Sequence, residues 1–120
     1  MVSLRAMTDD EYRAYQRRSF EEYVEERARS LRTPVEEERG VARRQIDGLL
    51  KDGLDTPGHH FWHVVTEEGR VVGDLWAQVD EQLGRAFIFD IWLAPEHRGR
   101  GLGAQTLDAL DVFLRACVNK

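Results

Sequence analysis

The stretch from Phe87 to Ala104 constrains this chain more than any other. It reads Phe-Ile-Phe-Asp-Ile-Trp-Leu-Ala-Pro-Glu-His-Arg-Gly-Arg-Gly-Leu-Gly-Ala. Phe87 to Leu93 is an apolar run rich in β-formers, the pattern of a buried strand. Pro95 stops that strand, because it has no N–H to give a ladder. Arg98 to Gly103 then alternates glycine with long side chains, and a helical pattern begins at Leu102. A strand that passes through a glycine-rich turn into a helix N-terminus makes an anion site. Backbone N–H groups approach a phosphate closely where no Cβ intervenes, and the helix dipole favours negative charge there.

Two generic versions of such a loop can be tested directly. A P-loop requires Lys and then Ser or Thr after its last glycine, and Ala104 and Gln105 stand there instead. Gly99, Gly101 and Ala104 formally satisfy the dinucleotide pattern G-x-G-x-x-G/A. That pattern belongs inside a βαβ unit with an acidic residue further on, and no second strand follows within these residues.

The whole stretch resembles the GCN5-related N-acetyltransferase family. The resemblance rests on the family signature Arg/Gln-x-x-Gly-x-Gly/Ala, here Arg98-Gly99-Arg100-Gly101-Leu102-Gly103, preceded by Ile91-Trp92-Leu93-Ala94-Pro95-Glu96. It implies that the Arg98–Ala104 loop, including Arg100, holds the pyrophosphate of acetyl-CoA through backbone N–H groups. It also implies that the strand edge at Ile91 and Leu93 pairs with the pantetheine arm.

At 120 residues the chain supports one domain with one modest core. Its 42% hydrophobic and 32% charged content suits a soluble globular protein. No apolar run approaches the ~20 residues that span a bilayer, and the N-terminus has no apolar signal segment. A membrane partner is therefore not expected, and the expected compartment is the cytoplasm. The net charge of −5 argues against nucleic acid and is compatible with a cationic amine substrate. Cys117 is the single cysteine; on an apolar helix face it reads as an inert buried thiol.

In chain order, Val2 to Met7 reads as a first strand. Thr8 and Glu11 form a capping box for a helix whose stripe is Tyr12, Tyr15, Ser19, Tyr23, Ala28 and Leu31. Thr33 as N-cap and Pro34 at the first helical position open a second helix, with Val35, Ala42, Ile46, Leu49 and Leu50 apolar. From about residue 60 the period becomes extended. Phe61–Thr66, Val71–Val79 and Ala86–Leu93 form an antiparallel meander, joined by turns at Glu67–Arg70 and Asp80–Arg85. A last helix runs from Leu102 to Val118 with Leu107, Leu110, Leu114 and Cys117 on one face.

The expected fold is α/β (α+β), in the order β-α-α-β-β-β-α. It matches the first half to two-thirds of the acetyltransferase fold, as a single domain over residues 1–120. The resemblance implies a further strand, a helix and two closing strands, with the cofactor slot between two splayed strands. The later helix often carries a Tyr that protonates the leaving thiolate. The expectation is therefore a fragment, or a chain completed by a partner. The unpaired Ala86–Leu93 edge points to a dimer formed by strand addition across a two-fold axis.

Acetyl transfer to an amine needs a base, a polarised carbonyl and a protonated thiolate. The resemblance gives the carbonyl contact to a strand N–H near Ile91. Some members carry a Glu base four residues earlier, where this chain has Phe87. Asp90 is then the nearest candidate base, acting through water, and a structural hydrogen-bond acceptor is the alternative. Glu96 reads as a solvated loop residue. His59, His60 and His63 do not complete a metal set, since neighbours on a strand face opposite ways. His63 and the tryptophans Trp62, Trp76 and Trp92 are candidates for an acceptor cleft or for core packing. The resulting expectation is an N-acetyltransferase using acetyl-CoA and a primary amine, without a metal. The alternative is a non-catalytic acyl-CoA-binding or interaction module.

Overall fold

The structure is a computed structural model that describes residues 1–119. Its elements are β1 (Val2–Ala6), α1 (Asp9–Leu31), α2 (Val35–Leu49), β2 (His59–Thr66), β3 (Val71–Asp80), β4 (Arg85–Leu93) and α3 (Leu102–Val118). The expected order is thus realised. Short 3₁₀ turns occupy Gly53–Asp55 and Pro95–His97. The described residues divide into two compact units, residues 1–7 with 57–119, and residues 8–56. Among the described residues no helix is long and apolar enough to cross a membrane.

The first unit is a four-stranded antiparallel meander in the order β1-β2-β3-β4, with α3 on one face. Strand alternation divides its residues cleanly. Val2 and Leu4 of β1, Trp62 and Val64 of β2, Leu75, Ala77 and Val79 of β3, and Ala86 and Ile88 of β4 face α3. They close on Leu102, Leu110, Phe113 and Leu114. Leu75 and Val64 are wholly inaccessible, so truncating either to Ala would cost about 2–5 kcal/mol in lost transfer and cavity terms.

Two irregularities break the ladders. Val64 pairs Gly73 and Val65 pairs Val71, which leaves Val72 as the extra residue and turns it into the α3 core. Trp76 pairs Asp90 and Ala77 pairs Ile88, which leaves Phe89 extra on β4. Both Phe89 and Asp90 consequently point to the face opposite α3, because a bulge resets the alternation. Gly73 is required by close packing: a Cβ there would collide with the Trp92 carbonyl oxygen and lie 2.8 Å from Leu93 Cδ2.

The second unit holds α1 and α2. The capping box forms as expected, with Thr8 Oγ1 accepting from the Glu11 N–H at 3.3 Å and Glu11 Oε1 accepting from the Thr8 N–H at 2.9 Å. Tyr15 and Ala28 of the expected α1 stripe are buried, joined by Phe20 and Val24, whereas Tyr23 and Leu31 are exposed. Phe20 and Val24 pack on Ala42 and Ile46 of α2.

Thr33 does not cap α2. Pro34 occupies the N-cap without a side-chain bond, and the Thr33 hydroxyl donates instead to Glu38 Oε2 at 2.9 Å. Glu38 Oε1 also accepts from Arg27 Nε at 2.8 Å, so this carboxylate in the first turn of α2 is buried with two donors. Val35, expected on the apolar side of α2, is exposed, as is Leu107 in α3, where the expected Leu110 is buried together with Thr106. Cys117 is half-buried rather than enclosed. β2 begins at His59, two residues earlier than the apolar pattern suggested.

Candidate functional site

The end of β4 hands the chain to α3 through a turn whose shape depends on glycine. Gly99 and Gly101 sit at φ of 78° and 76°, a region that side chains with a Cβ adopt only with strain. Gly101 is the N-cap of α3 and has no side chain with which to cap it. The first N–H groups of any helix lack intrahelical acceptors. Here those of Leu102, Gly103 and Ala104 find no acceptor among the described residues. The helix dipole adds a partial positive charge at the same point. No Cβ of Gly99 or Gly101 would meet anything within 4 Å, so the surface above the loop is open.

The arginines of the loop do different jobs. Arg98 folds back, and its Nε donates to the Leu93 carbonyl oxygen at 2.8 Å, bracing the last residue of the strand. Arg100 is exposed. It lines a recess of about 400 Å³ beside the loop, with His97 and Leu102 on its own side and Thr66, Glu68 and Arg70 of the β2–β3 turn on the other. Leu102 serves the core, and Gly103 passes Leu93 at ordinary contact distance.

β4 is an edge strand, and no strand pairs with its outer side among the described residues. Ile91 is 40% exposed and Phe87 is 64% exposed along that edge. Ile91 and Leu93 direct their side chains to the α3 face, opposite Leu75 and Gly73, so their contribution to an added partner is the backbone edge itself. Asp90 is half-buried, on the other face, beside its cross-strand neighbour Trp76. Glu96 is exposed on the 3₁₀ turn.

The face opposite α3 holds polar pairs that periodicity did not reveal. Arg5, His63, Asp74 and Trp92 stand in successive cross-strand registers from β1 to β4. His63 Nδ1 lies 2.6 Å from Asp74 Oδ1. Four residues back on the same strand face, His59 is buried, and Trp76 Nε1 donates to its Nδ1 at 3.0 Å. Burial holds the His59 imidazolium pKa below its ordinary value. His60 points the other way, stacking on Trp62 with ring centroids 4.9 Å apart and meeting Phe113 edge-on. Burial lowers its pKa too, partly opposed by Glu81. Trp62 and Trp76 are core residues, whereas Trp92 is only half-buried. Alternation could have placed His59 and His63 on one face. The register that brings Trp76 and Asp74 to them is a tertiary fact.

Around Trp76 the rings form a ladder. Phe61 and Phe89 stack on its two sides with centroids at 5.2 and 4.6 Å, and Phe87 meets Phe89 edge-on at 4.9 Å. Among the described residues no group of three or more His, Cys, Asp or Glu side chains is arranged to hold a metal ion.

The chain also resembles known proteins over nearly all its length. Residues 6–119 match the model of the Acetyltransferase (GNAT) family. YycN, an uncharacterized N-acetyltransferase of Bacillus subtilis (strain 168), is 32% identical over 117 residues, which are 96% of this chain and 75% of that protein. YdgE, an uncharacterized N-acetyltransferase of the same bacterium, is 26% identical over 111 residues, 91% of this chain and 71% of that one. The crystal structure of YycN superposes with a TM-score of 0.84 at 32% identity, covering 97% of this chain and 75% of the other.

Proposed function

From the premise that this chain belongs to the acetyltransferase (GNAT) family, we propose that it moves an acetyl group from acetyl-CoA to a primary amine. The observation that carries the reading is the uncapped, glycine-opened N-terminus of α3 at the end of a strand whose outer edge is unpaired. The N–H groups from Gly99 to Ala104 bind the pyrophosphate, and Arg100 adds a mobile positive charge beside it. The pantetheine arm lies along β4 at Ile91 and Leu93. This sets the thioester next to the bulge, with its carbonyl oxygen toward the backbone N–H near Ile91.

Asp90 then takes the ammonium proton through water, leaving the amine nitrogen free to attack the thioester carbon. The C=O electron pair moves onto oxygen, and on its return the C–S bond breaks. The thiolate leaves and takes a proton from solvent, while the new amide nitrogen releases its second proton to solvent. The chain works as one acyltransferase domain in the cytoplasm and requires no metal. A second copy covers the β4 edge by antiparallel strand addition, because an apolar edge is otherwise a template for uncontrolled pairing.

The test is calorimetry with CoA together with a thiol-release assay on acetyl-CoA and a panel of primary amines. Micromolar CoA binding with amine-dependent thiol release is expected. Binding without turnover on any amine would assign the acyl-CoA-binding module instead, and absence of binding would refute the site.

A further inference from the structure

The recess of about 400 Å³ beside the start of α3 combines positive charge with donors that have nothing to bind. Its lining carries two guanidinium groups, Arg70 and Arg100, against one carboxylate, Glu68, in a chain whose net charge is −5. Glu68 is occupied by its own backbone N–H and by the Thr66 hydroxyl. The Arg70 backbone is fixed in the β2–β3 turn. Its N–H donates to Thr66 Oγ1 at 3.2 Å, and its carbonyl oxygen accepts from the Thr66 N–H at 2.9 Å. Neither the Arg70 nor the Arg100 guanidinium makes a hydrogen bond or ion pair among the described residues.

His97 lines the same recess and is only 9% exposed. Neither of its ring nitrogens makes a hydrogen bond among the described residues. Glu96 Oε1 stands 3.9 Å from Nε2, beyond hydrogen-bond reach. Neither nitrogen is among the sealed atoms without a partner, so the surface that His97 keeps opens into the recess. An imidazole carries at least one N–H in either charge state, and native structures leave few such groups unpaired without a reason.

Unengaged donors on both sides of one recess call for an anion, and the position narrows which. Arg100 and Leu102 of the lining belong to the loop to which the pyrophosphate is assigned above. CoA carries one further phosphate, a monoester on C3′ of the ribose whose C5′ oxygen bears the pyrophosphate. Only that ribose separates the two. A CoA with its pyrophosphate on the loop N–H groups therefore has its second phosphate within reach of the recess. A phosphate monoester is close to doubly charged at neutral pH and offers three acceptor oxygens, a match for two guanidinium forks and an imidazole N–H. We propose that this recess holds the 3′-phosphate of CoA, with Arg70 and Arg100 pairing its oxygens from the two sides and His97 donating a ring N–H. This rests on the acetyl-CoA reading above. Its consequence is selection among acyl carriers. The chain favours CoA over a carrier with the same pantetheine and pyrophosphate but no 3′-phosphate.

CoA and 3′-dephospho-CoA differ only in that phosphate, so comparing the two isolates the site. Calorimetry on the wild type should give CoA roughly tenfold tighter than dephospho-CoA, the scale of one charge-assisted hydrogen bond. Added salt should shrink the preference. Arg70→Gln should bring CoA close to the affinity of dephospho-CoA, whose own affinity stays put. His97→Phe, which fills similar space without a donor, should lower the preference in the same way. Retained dephospho-CoA binding also reports that each variant is folded. In parallel, ³¹P NMR separates the 3′-phosphate signal from that of the pyrophosphate. Both should move when CoA binds the wild type, and Arg70→Gln should reduce the shift of the first alone. Wild type that binds neither ligand would overturn the function and this site together. Wild type that binds both equally, a full preference kept in Arg70→Gln or His97→Phe, or a 3′-phosphate signal that stays still while the pyrophosphate signal moves would overturn the 3′-phosphate site alone.

Discussion

His59 and His63 lie on the same face of one strand, and their neighbours dictate opposite roles for the same ring nitrogen. Nδ1 of His59 accepts from the indole of Trp76, whereas Nδ1 of His63 lies 2.6 Å from the carboxylate of Asp74 and donates to it. Both partners come from β3, and the β2–β3 register selects which acts where. The His63 and Asp74 side chains are 14% and 10% exposed. Removing the carboxylate strands a nearly buried donor, which costs about 1–3 kcal/mol. Asp74→Ala should lower the urea midpoint accordingly. The double variant with His63→Ala should lose less than the sum of the single losses; strict additivity would show that the two side chains are not coupled.

Gly101 tests the anion site. Its φ of 76° is disfavoured for any residue with a Cβ, and the space above it is open, so a substitution acts through the backbone rather than through a clash. Gly101→Val should turn the N–H groups of the loop away and weaken CoA binding by about 1–3 kcal/mol, the scale of lost charge-assisted hydrogen bonds. Equal CoA affinity for the two proteins by calorimetry would move the pyrophosphate elsewhere.

Asp90 tests the base. Asp90→Asn preserves size and removes proton-accepting power. The turnover number should fall by about 10²–10⁴, the usual worth of a positioned base. The dissociation constant for acetyl-CoA should hold. A variant with normal turnover would leave Asp90 the structural acceptor of the alternative reading.

The exposed edge of β4 tests assembly. Light scattering over a dilution series should give a dimer that dissociates at low concentration. Phe87→Lys places a charge on the edge, the device by which soluble proteins discourage strand pairing, and should shift the mass to that of a monomer. A wild type that is monomeric at every concentration and turns over at an ordinary rate of roughly 1–10³ per second would remove the need for a second copy.

Glu38 tests pH dependence in the helical unit. Its hydrogen bond from Thr33 and, next, that from Arg27 hold its carboxyl pKa below the ordinary 4.5. A carboxyl with a depressed folded-state pKa stabilises the fold above its unfolded value and loses that contribution as pH falls through the folded value. Thermal melts should therefore separate wild type from Glu38→Gln near neutrality. The difference should shrink below about pH 4.5. A constant separation down to pH 3 would assign the effect to packing.

The order of elements, the capping box of α1, the meander and the loop that opens α3 were all legible in the sequence. Each depends on interactions between residues close along the chain: a hydroxyl three positions from a backbone N–H, the two-residue period of a strand, glycines where φ must be positive. The Thr33 reading failed because Glu38, five residues on, competes for the same hydroxyl. The α1 stripe was right at Tyr15 and Ala28 and missed Phe20 and Val24, which meet Ala42 and Ile46 of α2.

The chain's own residues thus determined its family and the glycine-opened helix start to which the proposal assigns an anion, since a glycine loop at a helix start is a local object. Only the tertiary structure decided which side chains share the sheet face opposite α3. The bulge at Phe89 resets the alternation of β4 and turns Asp90 to the face that also holds His59 and His63. The β2–β3 register then brings an indole to one histidine and a carboxylate to the other. Residues more than ten positions apart in the chain meet through strand pairing, and pairing register is a property of the whole sheet.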